Sequence, residues 1–136
     1  MNIKDNVSTI MSSKVIVANQ FNTFSQVLRL FSEFTVHHLP IVNGKNHLIG
    51  IVSSNDIMRL FLQPKFKNVN LESDSLDNAI NMQDIMTPNP VTVSPDDTIE
   101  KAIAIFNDMK FHALPVVKDQ EIVGILSVKD LVRLFE

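Results

Sequence analysis

Gly50-Ile51-Val52-Ser53-Ser54-Asn55-Asp56 returns 74 residues later as Gly124-Ile125-Leu126-Ser127-Val128-Lys129-Asp130, the same Gly-x-x-Ser-x-x-Asp phrase twice. Residues 47–61 match 121–135 at that offset. Beyond a one-residue deletion opposite Asn46, residues 10–45 match 85–120 at an offset of 75. Fifteen of the 51 aligned positions are identical, among them Met11/Met86, Thr23/Thr98, His37/His112, Leu39-Pro40/Leu114-Pro115 and Arg59/Arg133. That is far above coincidence, so the chain is an internal duplication and its fold is one motif met twice.

Each copy resolves into the same series of elements. Val91-Thr92-Val93 predicts a short strand, and Ser94-Pro95-Asp96-Asp97 predicts a helix start, with Ser94 as cap, Pro95 first in the helix and an acid three residues on. Ile99, Ala102, Ile103, Phe106 and Met109 then recur at spacings of three and four, as do Phe24, Val27, Leu28, Phe31 and Phe34, giving one apolar stripe per copy. Leu114-Pro115-Val116-Val117 and Ile122-Val123-Gly124-Ile125-Leu126 flank a tight polar turn, a β-hairpin pattern, and the first copy places Asn43-Gly44 in its turn. A second helix is expected over 53–61 and again over 127–135. Residues 7–62 form the first repeat and 82–136 the second. Residues 63–81, with Pro64 and the polar run Glu72-Ser73-Asp74-Ser75, read as a linker in which Leu71, Leu76, Ala79 and Ile80 hint at a short helix. One repeat of about fifty residues is too small to bury its own helices and sheet. The expected fold is therefore α+β, two tandem βαββα repeats packed through their sheets with pseudo-two-fold symmetry.

Composition narrows the function classes. An apolar fraction of 45% and a charged fraction of 20% are ordinary for a globular protein. With no cysteine there is neither a disulfide framework nor a thiolate metal site. No apolar run is long enough for a signal peptide or membrane span, so the expectation is a cytoplasmic protein without a membrane partner. A net charge of −3 with scattered Lys and Arg argues against a nucleic-acid partner.

The duplicated phrase carries the chemistry. A strand stops, a hydroxyl (Ser53, Ser127) stands at the mouth of a helix, and a carboxylate (Asp56, Asp130) follows one turn in. The carboxylate suits the vicinal hydroxyls of a ribose, and the helix mouth suits a phosphate. The same atoms also make a capping motif, with Arg59 and Arg133 as partners for the carboxylates, and the sequence leaves both readings open. His37 and His112, each two residues before Leu-Pro, are either packing residues or groups that meet a phosphate. Metal binding is disfavoured, because His37 and His38 are neighbours in extended chain and no His-x-His or His-x-x-x-His spacing occurs. Neither a nucleophile elbow nor a Walker-type loop is present, so no catalytic constellation stands out and the chain does not read as an enzyme.

Taken together, Asp84-Ile85-Met86-Thr87-Pro88 through Thr98, Phe111-His112-Ala113-Leu114-Pro115-Val116-Val117 and the second Gly-x-x-Ser-x-x-Asp resemble one cystathionine-β-synthase (CBS) domain. Ile10-Met11, His37-His38-Leu39-Pro40-Ile41-Val42 and the first phrase resemble another. The pair looks like a stand-alone Bateman module spanning nearly the whole chain. The resemblance implies a regulatory module with two pseudo-symmetric sites, in a cleft between the repeats, for AMP, ADP, ATP or S-adenosylmethionine, with no cofactor required. It implies that Asp56 and Asp130 hold ribose hydroxyls, that Ser53 and Ser127 lie near phosphate, and that His37 and His112 line the phosphate side. Thr92 and the backbone at Leu114 and Pro115 would line the base pocket of the second set. It further implies a homodimer and a regulated protein partner. Where the second copy has Pro90, Thr92, Ser94 and Pro95, the first has Val15, Val17, Asn19 and Gln20, which implies unequal sites. The alternative from another class is a ligand-free dimerisation or protein-docking module.

Overall fold

The computed structural model describes residues 1–109 and 112–135. The fold is mixed α+β, with a four-stranded and a two-stranded sheet, and the chain divides into two compact units.

The first unit comprises residues 16–45 and 49–89. Strand β1 (Ala18–Asn19) runs parallel to β2 (His38–Val42), with Ala18 opposite Ile41. Between them lies helix α1 (Phe24–Glu33), opened by a capping box in which Thr23 and Gln26 satisfy each other's backbone N–H groups. Its stripe buries Phe24 and Val27 and half-buries Leu28 and Phe31, but the helix stops at Glu33 and leaves Phe34 exposed. Strand β3 (Leu48–Ser53) leads into α2 (Ser54–Leu60). In the β2–β3 turn the left-handed residue is Asn46 (φ 63°), the very residue the second copy lacks, whereas Gly44 keeps a negative φ.

The stretch 63–81 carries more structure than a connection requires. A 3-10 turn at Pro64–Phe66 and helix α3 (Ser73–Ala79) place Phe66, Leu76 and Ile80 in the same core as Leu39, Ile41 and Val52. Asp77 on α3 accepts the Ser25 N–H and hydroxyl at 2.7 Å each, filling one of the donor positions that the start of α1 leaves open. Helix α4 (Met82–Ile85) then brings β4 (Thr87–Pro88) antiparallel onto Gly50 and Ile51 of β3.

The second unit comprises residues 1–15, 46–48 and 90–136. Helix α5 (Ile99–Met109) starts at Ile99 and not at the predicted Ser94-Pro95. The Ser94–Asp97 signature closes a turn instead: Asp97 Oδ2 accepts the Ser94 N–H at 2.8 Å and Ser94 Oγ accepts the Asp96 N–H at 3.2 Å. The first N–H groups of α5 are met by the carbonyls of Asp5 (to Ile99, 2.9 Å) and Ile3 (to Glu100, 2.8 Å), and by Thr98 Oγ1 (to Lys101, 3.2 Å). Val91-Thr92-Val93 contributes only a single parallel bridge, Val93 to Val116. Strands β5 (Ala113–Lys118) and β6 (Glu121–Ser127) form the predicted hairpin on a two-residue loop, Asp119 and Gln120, both at positive φ (52° and 70°), as the right-handed strand twist favours. Helix α6 (Val128–Val132) gives way to a 3-10 turn at Arg133–Phe135, so the predicted helix over 127–135 is only partly α-helical.

The leading segments are exchanged. Residues preceding the first repeat's sheet are built into the second unit, where Ser12 and Ile125 donate to each other's carbonyls at 2.9 Å and Val7 is fully buried beside Val93, Leu114, Val116 and Leu126. Residues preceding the second repeat's sheet are built into the first unit through β4. This accounts for both glycines of the repeated phrase. A Cβ on Gly50 would lie 2.2 Å from the Met86 Cγ and Sδ, and one on Gly124 would lie 2.5 Å from Met11 Sδ. Each strand is covered by the other copy's methionine, and only glycine leaves room.

Candidate functional site

In both units the last long strand ends at the serine of the phrase, which becomes the N-cap of the next helix. In the first unit Ser53 Oγ accepts the Asp56 N–H at 3.0 Å and Asp56 Oδ2 accepts the Ser53 N–H at 3.1 Å. In the second, Ser127 Oγ accepts the Asp130 N–H at 3.3 Å and Asp130 Oδ2 accepts the Ser127 N–H at 2.8 Å. The first helical N–H is also taken: Ser54 donates to the His37 carbonyl at 3.0 Å and Val128 to the His112 carbonyl at 3.1 Å. The capping reading is therefore realised in full, and these N–H groups are spent within the protein.

What each cap leaves outward is the second carboxylate oxygen. Asp56 Oδ1 accepts from Arg59, and Asp130 Oδ1 faces Arg133 at 3.6 Å. The aspartates are mostly covered, with side chains 24% and 16% exposed, while the arginines are 69% and 71% exposed. Each unit thus presents a mostly covered carboxylate, fixed by its own backbone on one oxygen and met by an exposed guanidinium on the other. Such an oxygen pair is suited to accept two vicinal hydroxyls.

The histidine backbones tie each middle strand to its cap, while the His37 and His112 side chains are exposed, so the half-buried packing role is not what these rings do. Leu114 and Pro115 are buried and offer only backbone, and the Pro115 carbonyl already accepts the Val93 N–H at 3.1 Å. Thr92 is exposed next to that bridge. The structure joins His37, Ser53 and Asp56 in one unit and His112, Ser127 and Asp130 in the other, with Thr92 beside the Leu114-Pro115 strand. Among the described residues no group of three or more His, Asp or Glu gathers as a metal site, and no helix is long and apolar enough to cross a membrane.

The two lead-ins are closer in geometry than in sequence. Asn22 Oδ1 accepts the Asn19 N–H at 2.7 Å and Asn19 Oδ1 accepts the Phe21 N–H at 3.0 Å, the same turn that Asp97 and Ser94 make in the second copy. Asn for Ser and Asn for Asp preserve the acceptors, a substitution that identity alone hides. The methionine–glycine pairs were also missed, although Met11/Met86 and Gly50/Gly124 are both identities of the repeat.

Comparison with known proteins agrees with this organisation. The family model of the CBS domain matches residues 7–63 and 82–136. A homoserine O-acetyltransferase of Methanohalobium evestigatum is 34% identical over 131 residues, which cover 96% of this chain and 24% of that protein. The chain spans about a quarter of the length of this relative and of an L-aspartate semialdehyde sulfurtransferase of Methanocaldococcus jannaschii, 27% identical over 130 residues that cover 95% of this chain and 23% of that protein. Among solved structures, the CBS domain pair of protein MJ0100 in complex with 5′-methylthioadenosine and S-adenosyl-L-methionine is 26% identical with a TM-score of 0.81, covering 97% of this chain and 100% of that one. CBSX2 in complex with AMP is 27% identical with a TM-score of 0.77, covering 96% and 95%.

Proposed function

This chain belongs to the CBS domain family, and from that premise we propose that it is a regulatory module binding adenosine-containing ligands, AMP, ADP, ATP or S-adenosylmethionine, through its two Gly-x-x-Ser-x-x-Asp phrases. One observation carries the reading. The same mostly covered carboxylate is built twice, on the same cap and strand end, with one oxygen anchored and one turned to an exposed arginine. In the proposal Asp56 and Asp130 accept the ribose hydroxyls, and Ser53 and Ser127, which fix those carboxylates, lie near the phosphate. His37 and His112 face the phosphate or sulfonium end, and Thr92 with the Leu114 and Pro115 backbone borders the adenine of the second site. The two similar domain pairs solved with AMP, and with 5′-methylthioadenosine and S-adenosyl-L-methionine, support this ligand class. The role is regulatory and not catalytic. The acetyltransferase name belongs to a protein about four times as long.

The test is a ligand-dependent melting shift. A ligand present at about 100 times its Kd adds about 2.7 kcal/mol of stability. AMP or S-adenosylmethionine at millimolar concentration should raise Tm by several degrees in the native protein and little in Asp56→Asn/Asp130→Asn. Asparagine is preferred to alanine because it keeps an acceptor for the serine N–H.

A second reading, association with another copy, is favoured by the exposed Met58 and Leu62 in and just after α2 and Val132 and Phe135 in and just after α6. We include a homodimer in the proposal. Sedimentation equilibrium of native protein against Met58→Lys/Val132→Lys checks it, with dissociation expected in the variant. A regulated protein partner and a cytoplasmic setting complete the proposal, the latter in keeping with a chain that has no cysteine.

A further inference from the structure

Arg59 and Arg133 are an identity of the duplication that the binding scheme above does not use. Each stands three residues after its aspartate, on the outer oxygen of that carboxylate: Arg59 donates to Asp56 Oδ1, and Arg133 lies 3.6 Å from Asp130 Oδ1. The inner oxygens are taken by the serine N–H groups. The serine N–H on Oδ2 belongs to the cap and stays while that oxygen's second lone pair accepts a hydroxyl, whereas the exposed guanidinium on Oδ1 can give way when a ribose hydroxyl takes that oxygen. We infer that Arg59 and Arg133 set the ligand charge each site accepts: displaced from the carboxylate, the guanidinium turns to a 5′-phosphate, so the sites favour anionic nucleotides over uncharged nucleosides. The inference rests on the proposed adenosine-binding role.

The chemistry runs in one direction. With an uncharged nucleoside, the arginine loses its carboxylate partner and gains nothing. With a nucleotide, it exchanges one anion for another, and a guanidinium binds phosphate oxygens in the same forked geometry as a carboxylate. Because both arginines are largely exposed, each term is that of a surface ion pair, which corresponds to an affinity change of about fivefold at most.

The experiment compares AMP with adenosine, which differ only in the phosphate, by calorimetric titration of native protein, Arg59→Met, Arg133→Met and the double variant at low and fixed ionic strength. Methionine keeps the aliphatic stem and removes the charge. The expected result is a change of opposite sign: adenosine binds two- to fivefold more tightly to the variants, AMP binds more weakly by a similar factor, and the AMP preference falls about tenfold in the double variant. Shifts of the same sign for both ligands, or none in either, would overturn the inference while leaving adenosine binding intact. If neither ligand binds native protein, the binding role itself fails and the inference goes with it. Circular dichroism of the variants confirms that the caps remain folded, since Ser53–Asp56 and Ser127–Asp130 do not depend on the arginines.

Discussion

Replacing Gly50 with alanine tests the exchanged-segment architecture at its tightest point. The new Cβ would sit 2.2 Å from Met86 Cγ and Sδ and 3.0 Å from the Thr87 carbonyl oxygen, where carbon normally keeps about 3.5–4.0 Å. Met86 must swing away by more than 1 Å, and β4 has little freedom to follow because Thr87 and Pro88 are paired with Ile51 and Gly50. Overpacking of this kind costs about 1–3 kcal/mol, offset by about 0.5–1 kcal/mol from the lower flexibility of alanine in the unfolded chain. The net expectation is a loss of about 1–2 kcal/mol, or roughly 3–8 °C in Tm for a chain of this size. The assay is urea unfolding of Gly50→Ala, Met86→Ala and the double variant as a cycle. With Met86 already truncated, alanine at 50 should be close to neutral, giving a coupling of about 1 kcal/mol or more. An identical cost for Gly50→Ala in both backgrounds would refute the argument, because the methionine would then not be what excludes a Cβ.

Three further outcomes follow from the same structure. Deleting residues 1–12 removes Val7 from the second core and the carbonyls of Ile3 and Asp5 from the start of α5; hydrogen exchange should rise in peptides covering 90–109 far more than in those covering 24–42. Asp77→Ala removes two 2.7 Å hydrogen bonds to Ser25 and should cost about 1–2 kcal/mol in urea unfolding, while the distant Asp74→Ala should cost less than about 0.5 kcal/mol. Leu39→Ala, at a fully buried position in the first core, should cost about 2–5 kcal/mol by the same measurement.

The duplication, the βαββα order and the hairpin of the second repeat were all legible in the sequence, because periodicity and turn chemistry are local. The stripes of α1 and α5 could be read from residues three and four apart, although their last members, Phe34 and Met109, are exposed. The start of α5 differs for a physical reason: Ser94-Pro95-Asp96-Asp97 has the composition of a cap but spends its side chains closing a turn, and the first two donors of α5 are met from residues more than ninety positions away. The exchange of leading segments is non-local in the same sense. Its only sequence trace is the paired identity of Met11/Met86 with Gly50/Gly124. In the stretch 63–81 the short helix was legible from Leu76 and Ile80, four residues apart, but its burial with Phe66 in the first core was not, because those contacts are non-local. At the candidate site the sequence offered capping and ligand contact as alternatives. The geometry makes them compatible, since the cap fixes one oxygen of each aspartate and leaves the other outward.

Whether these two carboxylates hold an adenosine-containing ligand is decided by isothermal titration of the native protein and of Asp56→Asn/Asp130→Asn with AMP and with S-adenosylmethionine. Saturable binding of at least one ligand to the native protein, weakened by about tenfold or more in the double variant with the fold retained, is the predicted result. Binding of equal strength in both proteins, or no binding by the native protein at millimolar ligand, would mean that Asp56 and Asp130 hold no such ligand.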